Sequence, residues 1–561
     1  MARPVGIGKQ DFEKVIKENV FYVDKTLFIK EWWENKDDVT VIARPRRFGK
    51  TLTLDMVEKF FSIKYAERGD LFEGLAIWQS EEYQRLQGTY PVISLSFASI
   101  KENCFYNARR KICYLLTSLY SDNHFLIESG ILTPSEKVFF ESISANMGDA
   151  EATLALHELS KYLCRYYGKK AVILLDEYDT PMQEAYVYGY WKEMVEFTRS
   201  MFNSAFKTNS YLERAVMTGI TRVSKESIFS DLNNLTVVTV TSEKYQDCFG
   251  FTQQEVSEAL KEYGLLKKEE DVRAWYDGFT FGSRKDIYNP WSIINFLGEQ
   301  KFAPYWANTS SNNLVGKQIR EGSRDVKMVM EDLLKGGKIH TYLDEQIVFS
   351  QLNNRESAVW SLLLASGYLR VEDFFPNEKR GKHGYDLVLT NREVRMMFEQ
   401  MIEDWFADYT PAYNDFIRAL LCGDVKSMNA YMNKVALETF SYFDTGKKPS
   451  EAAEPEKFYH GFVLGLIVDL ADQYTVTSNR ESGFGRYDVM LEPCHEEDDA
   501  IIMEFKVYDP KEEESMKDTV RSALKQIDNM RYAAVLEVKG IAPGRIRKYG
   551  FAFEGKKVLI G

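Results

Sequence analysis

Between residues 38 and 240, five short apolar, β-branched runs recur with helical stretches between them, at 39–43, 91–97, 171–175, 215–218 and 236–241. This alternation constrains the fold more than any other feature of the chain. Strands separated by helices predict an α/β unit, a mostly parallel sheet covered by helices on both faces.

The first run opens onto Arg44-Pro45-Arg46-Arg47-Phe48-Gly49-Lys50-Thr51, a loop leading into a helix. In a P-loop, backbone N–H groups and the helix N-terminus cradle phosphates, the lysine reaches the β- and γ-phosphates, and the hydroxyl ligates Mg²⁺. Gly49, Lys50 and Thr51 match that pattern, with Arg46, Arg47 and Phe48 as the rest of the cradle. Arg44 stands where the first glycine usually is, and Pro45 removes one N–H donor. A GKT tripeptide alone also fits a basic surface turn. The third run ends in Asp176-Glu177, where Asp176 can orient Mg²⁺ or its waters and Glu177 can polarise an attacking water. After the fourth run, Thr218 or Thr221 is placed to sense a terminal phosphate and Arg222 to approach it. An ordinary glycine turn with an exposed arginine explains the same residues.

A second pattern is Asp488 with Glu504-Phe505-Lys506. Successive side chains of a strand point to opposite faces, so Glu504 and Lys506 share one face while Met503, Phe505 and Val507 face a core. Asp488 lies in the alternating run 486–491, and the acidic connector 495–499 suits a fold-back of that run onto the second strand. Two carboxylates and a lysine would then meet, equipment for holding a hard cation and activating a water. A surface ion pair between Glu504 and Lys506 is the plainer alternative.

Composition limits the partners. At 561 residues the chain holds roughly three or four domains, since single cores seldom grow past about 250 residues. No apolar run approaches the roughly 18 residues of a spanning helix, and residues 1–9 lack the apolar stretch of a secretory signal. Six cysteines are scattered without a CxxC pair, so a cytoplasmic protein with no membrane partner is expected. The net charge of −13 argues against avid non-specific binding to nucleic acid. Any contact with DNA or RNA must use local basic surface, for which Arg44, Arg46, Arg47, Arg545, Arg547, Lys548, Lys556 and Lys557 are the candidates.

Together these residues resemble a family of prokaryotic proteins with an N-terminal AAA-ATPase-like domain and a C-terminal PD-(D/E)xK nuclease-superfamily domain. Gly6-Ile7, Asp11-Phe12 and Tyr22-Val23-Asp24-Lys25-Thr26 are similar to the family's opening segment, which lies near the adenine. Residues 44–51 resemble its divergent phosphate loop, and 176–181 its second nucleotide motif. Ser366-Gly367-Tyr368-Leu369 and Asn391-Arg392-Glu393-Val394 resemble its middle region. Phe458-Tyr459-His460, 483–488, 504–506, Gln526-Ile527 and Tyr532 resemble its nuclease-type domain. The resemblance implies that Asp488 and Glu504 bind the metal and that Lys506 aids the attacking water. It adds Glu456, with Glu454 behind it, from the domain's first helix, and turns Gln526 toward the same pocket. His460 fits a site residue and an ordinary helix histidine equally well.

The expected layout is a P-loop ATPase domain at 1–245, a helical lid-like region at 246–335, a winged-helix-like and helical region at 336–444, and a nuclease-like domain at 445–561. Residues 252–255 look like a capping box, and the polar stretch 445–456, with its glycine and prolines, marks the last boundary. The function expected is binding and hydrolysis of ATP with Mg²⁺, coupled to a nuclease using Mg²⁺ or Mn²⁺ on DNA or RNA. A homo-oligomer or a protein partner is a further class of contact. One alternative is a signalling-type nucleotide switch whose last domain docks without cleaving. Another is a DNA-binding regulator acting through the winged helix.

Overall fold

The computed structural model describes residues 2–561 apart from 221–227, 230–231, 307–312, 321–323, 344–355, 377–382, 408–412, 440–462, 464–466, 468–469, 471–472, 479–480, 483–484, 487, 496 and 511–512. All five apolar runs form strands: β1 (Val39–Ala43), β2 (Val92–Ser96), β3 (Ala171–Asp176), β4 (Leu212–Gly219) and β5 (Leu235–Val238). They pair in the order β2-β3-β4-β1-β5, and every pairing is parallel. β1 and β3 are buried along their whole length, in keeping with their largely apolar residues.

Sheet order departs from chain order at one point that matters for chemistry. β4 is inserted between β1 and β3, so Ala43 lies opposite Gly219 and Leu175 opposite Met217. The ends of three strands therefore sit side by side. The loop after β1, the hydroxyl of Thr218 and the acids that close β3 share one edge of the sheet.

Residues 251–306 carry a small antiparallel sheet of β6 (Phe251–Thr252), β7 (Phe279–Phe281) and β8 (Arg284–Tyr288) among their helices. The capping box is present: Thr252 and Glu255 bond reciprocally at the start of helix Gln253–Glu262. The helical character expected here is present, and the small sheet is an addition to it. Its strands are two to five residues long, too short for alternation to register as a period. Beyond them, β9 (Ile339–Tyr342), helix Glu356–Ala365, β10 (Leu369–Phe375) and β11 (Gly384–Leu389) give an antiparallel sheet in the order β10-β11-β9. Helix followed by hairpin is the winged-helix-like order expected; β9 is an added strand.

The chain forms two compact units, Met1–Gly322 with Asp332–Met397, and Ser323–Glu331 with Phe398–Gly561. The second is built on β12 (Tyr474–Ser478), β15 (Val489–Pro493), β16 (Ala500–Val507), β17 (Ile546–Glu554) and β18 (Lys557–Ile560) in that spatial order, with β13 (Glu481–Ser482) and β14 (Gly485–Arg486) forming a separate hairpin. β16 and β17 run parallel and the other pairs antiparallel. Alternation along β16 buries both faces. Met503 and Phe505 pack with Phe416 and Met432 from helices Tyr413–Cys422 and Val425–Thr439. Ala500 and Ile502 pack with Ile527 and Leu536 from helices Met516–Asn529 and Ala534–Val538.

Candidate functional site

At the edge of the parallel sheet, a single carboxylate ties three elements together. The Thr51 hydroxyl, on the first turn of helix Lys50–Phe61, donates to Asp176 Oδ2 at 2.7 Å. The Thr218 hydroxyl, at the end of β4, donates to Asp176 Oδ1. Asp176 is buried; burial pushes its pKa up, while the two hydroxyls draw it back. Glu177 follows at φ 49°, a conformation that residues bearing a Cβ seldom adopt. The Thr180 hydroxyl reaches Glu177 Oε2 at 3.1 Å, so the turn aims and holds this carboxylate.

Lys50 is buried with its ammonium on the carbonyl oxygens of Arg44 and Pro45, at 2.9 and 2.7 Å. Burial lowers its pKa against the opposing charges of Glu177 and Asp176. Neutral carbonyls are weaker partners for an ammonium than phosphate oxygens would be. Positive φ at Arg47 (65°) and Gly49 (80°) curls the loop into the helix; the Gly49 position leaves open space where a Cβ would stand.

The other loop side chains have partners within the protein. Phe48 is buried against Phe279 and Phe281, with ring centroids 4.8 and 5.3 Å away. Arg46 reaches Gln183 Oε1 at 3.4 Å. Arg47 is exposed and lies over Trp291 at 4.2 Å. Gln183 also donates to Asp179, which accepts from the Ile220 N–H at 3.0 Å, so the loop connects back to the end of β4. Arg222 and Thr221 lie outside the described residues.

Arg44 corrects one expectation. It was a candidate for basic surface, yet it is fully buried. Its guanidinium bonds the carbonyls of Thr239 and Lys244 and covers Phe281 at 4.3 Å. Burial lowers its pKa to about 9. The basic residues named in the second unit are largely engaged too. Arg545 and Arg547 both pair with Asp499, Lys548 with Asp528, and Lys557 with Glu554.

In that unit β15 and β16 pair with Val489 opposite Met503, so Asp488 comes beside Glu504. Asp488 Oδ2 accepts the Phe505 N–H at 2.8 Å. Glu504 is 3% exposed, so its carboxylate is buried rather than on the surface. Gln526, on helix Met516–Asn529, donates to Glu504 Oε1 and lies 3.2 Å from the Tyr532 hydroxyl. Lys506 is half-buried, two residues beyond Glu504 on the same strand. Glu456, Glu454 and His460 lie outside the described residues. Among the described residues, no three His, Cys, Asp or Glu side chains gather as a cation site. The donor chemistry of the Asp488–Glu504 pair still fits a hard cation completed by water, as that of Thr51 and Asp176 fits Mg²⁺.

Sequence reasoning missed Asn289, Trp306 and Gln183, which contact residues of the loop at 44–51; Glu393, which accepts the Trp306 N–H, lay in a middle-region motif to which no role at that loop was given. Only Asn289 carried a local signal, an N-cap residue before a proline at the first helical position.

Fold and site define the class: a nucleotide-binding α/β unit on one chain with a nuclease-type mixed sheet. Residues 4–229 match the family described as AAA-ATPase-like, a predicted AAA-ATPase, and residues 454–561 match the PD-(D/E)XK nuclease superfamily. The chain thus carries an AAA-ATPase-like domain followed by a PD-(D/E)XK nuclease-superfamily domain. It is also 26% identical over 307 residues to the uncharacterized protein in the vnfD 5′ region of Azotobacter chroococcum mcd 1, covering 54% of each chain. The chain spans about half the length of that relative.

Proposed function

We propose that the first unit binds and hydrolyses ATP and that this cycle is coupled to phosphodiester cleavage by the second. The observation that carries the ATP reading is the convergence of Thr51 and Thr218 on Asp176 beside the buried Lys50. On this reading the backbone of residues 46–49 cradles the phosphates, with Lys50 leaving the Arg44 and Pro45 carbonyls for phosphate oxygens. Thr218 reads the terminal phosphate, with Arg222 as a further contact. Glu177 takes the proton of the attacking water. In the second unit Lys506 steadies the attacking water, and Gln526 fixes the orientation of Glu504. Thr51 and Asp176 would hold Mg²⁺ in the first site, and Asp488, Glu504 and Glu456 would hold Mg²⁺ or Mn²⁺ in the second, supplying charge neutralisation and a more acidic bound water.

The test has two parts. Lys50→Ala abolishes ATP binding, and Glu177→Gln keeps binding while hydrolysis falls about 100-fold or more. A nicking assay on DNA and RNA compares wild type with Glu504→Ala and Lys506→Ala, each also assayed with and without ATP. No ATP hydrolysis by wild type would sink the first half, and no cutting of either nucleic acid the second.

One set of contacts favours a second reading. The pairing of Arg545, Arg547 and Lys548 with acids, on a chain of net charge −13, leaves little electrostatic grip for a polyanion. A nucleotide switch whose second unit docks a protein partner fits that charge distribution. It is the outcome if ATP turns over and nothing is cut.

A further inference from the structure

Two motifs of the middle region, 366–369 and 391–394, have no part in the function just proposed, yet both lead to the phosphate loop. Gly367 has φ 87°, and a Cβ there would stand 2.9 Å from Pro45 and from Phe279. The next residue, Tyr368, packs its ring on Trp306 at 5.4 Å. Trp306 Nε1 donates to the Arg46 carbonyl at 3.1 Å, and Asn289 Nδ2 donates to the same oxygen at 3.2 Å. Behind them stands Glu393, fully buried. It accepts the Trp306 backbone N–H and, at 2.8 Å, the Ser292 hydroxyl. Ser292 lies in helix Pro290–Glu299, which Asn289 caps.

The loop's own sequence explains what these contacts are for. Arg44 and Pro45 deny it the first glycine and one N–H donor, so its shape cannot come from glycine turns alone. Lys50 braces the Arg44 and Pro45 carbonyls. A triphosphate draws that ammonium away. The donors to the Arg46 carbonyl come from outside the loop and do not depend on the ligand. We propose that Trp306, Asn289 and Glu393 are positioning residues of the nucleotide site, which hold the loop curled for phosphate. The module at 356–397 is then a working part of that site. The inference rests on the ATP reading above.

The experiment measures Mg·ATP affinity, kcat and KM for full-length wild type, Trp306→Phe, Glu393→Gln and Glu393→Ala, with melting temperatures recorded without nucleotide. Trp306→Phe deletes one N–H and keeps the ring. Affinity should fall roughly five- to tenfold, the equivalent of one hydrogen bond, with KM rising and kcat within about twofold. Glu393→Gln retains an acceptor and should stay within about twofold of wild type, while Glu393→Ala follows Trp306→Phe. A wild type that binds no ATP brings down the ATP reading and this inference with it. If wild type binds and Trp306→Phe binds as tightly, the inference alone is overturned, whatever its melting temperature.

Discussion

At position 44 a guanidinium occupies the place of a glycine hydrogen, and the fold absorbs it by turning the side chain inward onto two carbonyls and the face of Phe281. A motif letter that looked like a defect, or like basic surface, is a structural anchor. Asp277 makes the opposite case of a charge that costs stability. Its side chain is partly buried, and burial, then the charge of Asp286, pushes its pKa up to about 6, with Arg273 opposing from 3.4 Å. The folded state therefore holds this proton more tightly than the unfolded chain, and stability falls as pH rises from about 4 through about 6. Asp277→Asn keeps an acceptor for the Gly278 N–H and removes the charge. We expect it to stabilise the protein by about 1–2 kcal/mol at pH 7.5, with the gain shrinking toward pH 4. Denaturant midpoints of both chains at the two pH values check this.

Among elements, the five strands of the parallel sheet were legible because each carries a short, largely apolar and β-branched run between helices. Their spatial order was not, because inserting β4 between β1 and β3 is a matter of which strands pair. The Glu504-Phe505-Lys506 alternation was legible for the same reason, as a period of two. That Asp488 stands beside Glu504 depends on register across the hairpin. Helix ends obey local rules and give a sharp prediction. Thr133 and Glu136 form a capping box on helix Pro134–Ser142, and Glu136 also binds Lys161 and Arg165 on the neighbouring helix. Burial would raise the Glu136 pKa, but hydrogen bonds from Lys161, the Thr133 N–H and Arg165 outweigh it and lower the pKa to about 2. This contribution is complete above about pH 4.5 and is lost as pH falls toward 2. Glu136→Gln should cost about 1–2 kcal/mol at pH 7. Thermal melts across pH should show the difference from wild type narrowing below about pH 4.5.

For the whole molecule, the two compact units should respond differently to nucleotide. Ligand that binds only the folded state stabilises by mass action, about 2.7 kcal/mol at a hundredfold excess over Kd. Calorimetry with Mg·ATP should raise the transition of the unit containing residues 1–322 and leave that of 398–561 in place. In Lys50→Ala neither should move. A shift in both transitions, or in neither for wild type, would contradict the assignment of the nucleotide to the first unit. The sequence by itself determined the strands, the loop that turns from β1 into helix Lys50–Phe61, the acids closing β3 and the carboxylate–lysine alternation of β16. These are local, set by side-chain period and by the few residues that a turn or a cap accepts. Tertiary structure alone decided that Arg44 is buried, that Asp499 and Asp528 engage the basic residues of the second unit, and that Trp306 and Glu393 brace a loop far from them in the chain. Such contacts are made between segments whose meeting depends on how whole layers pack, and no short stretch of residues encodes that.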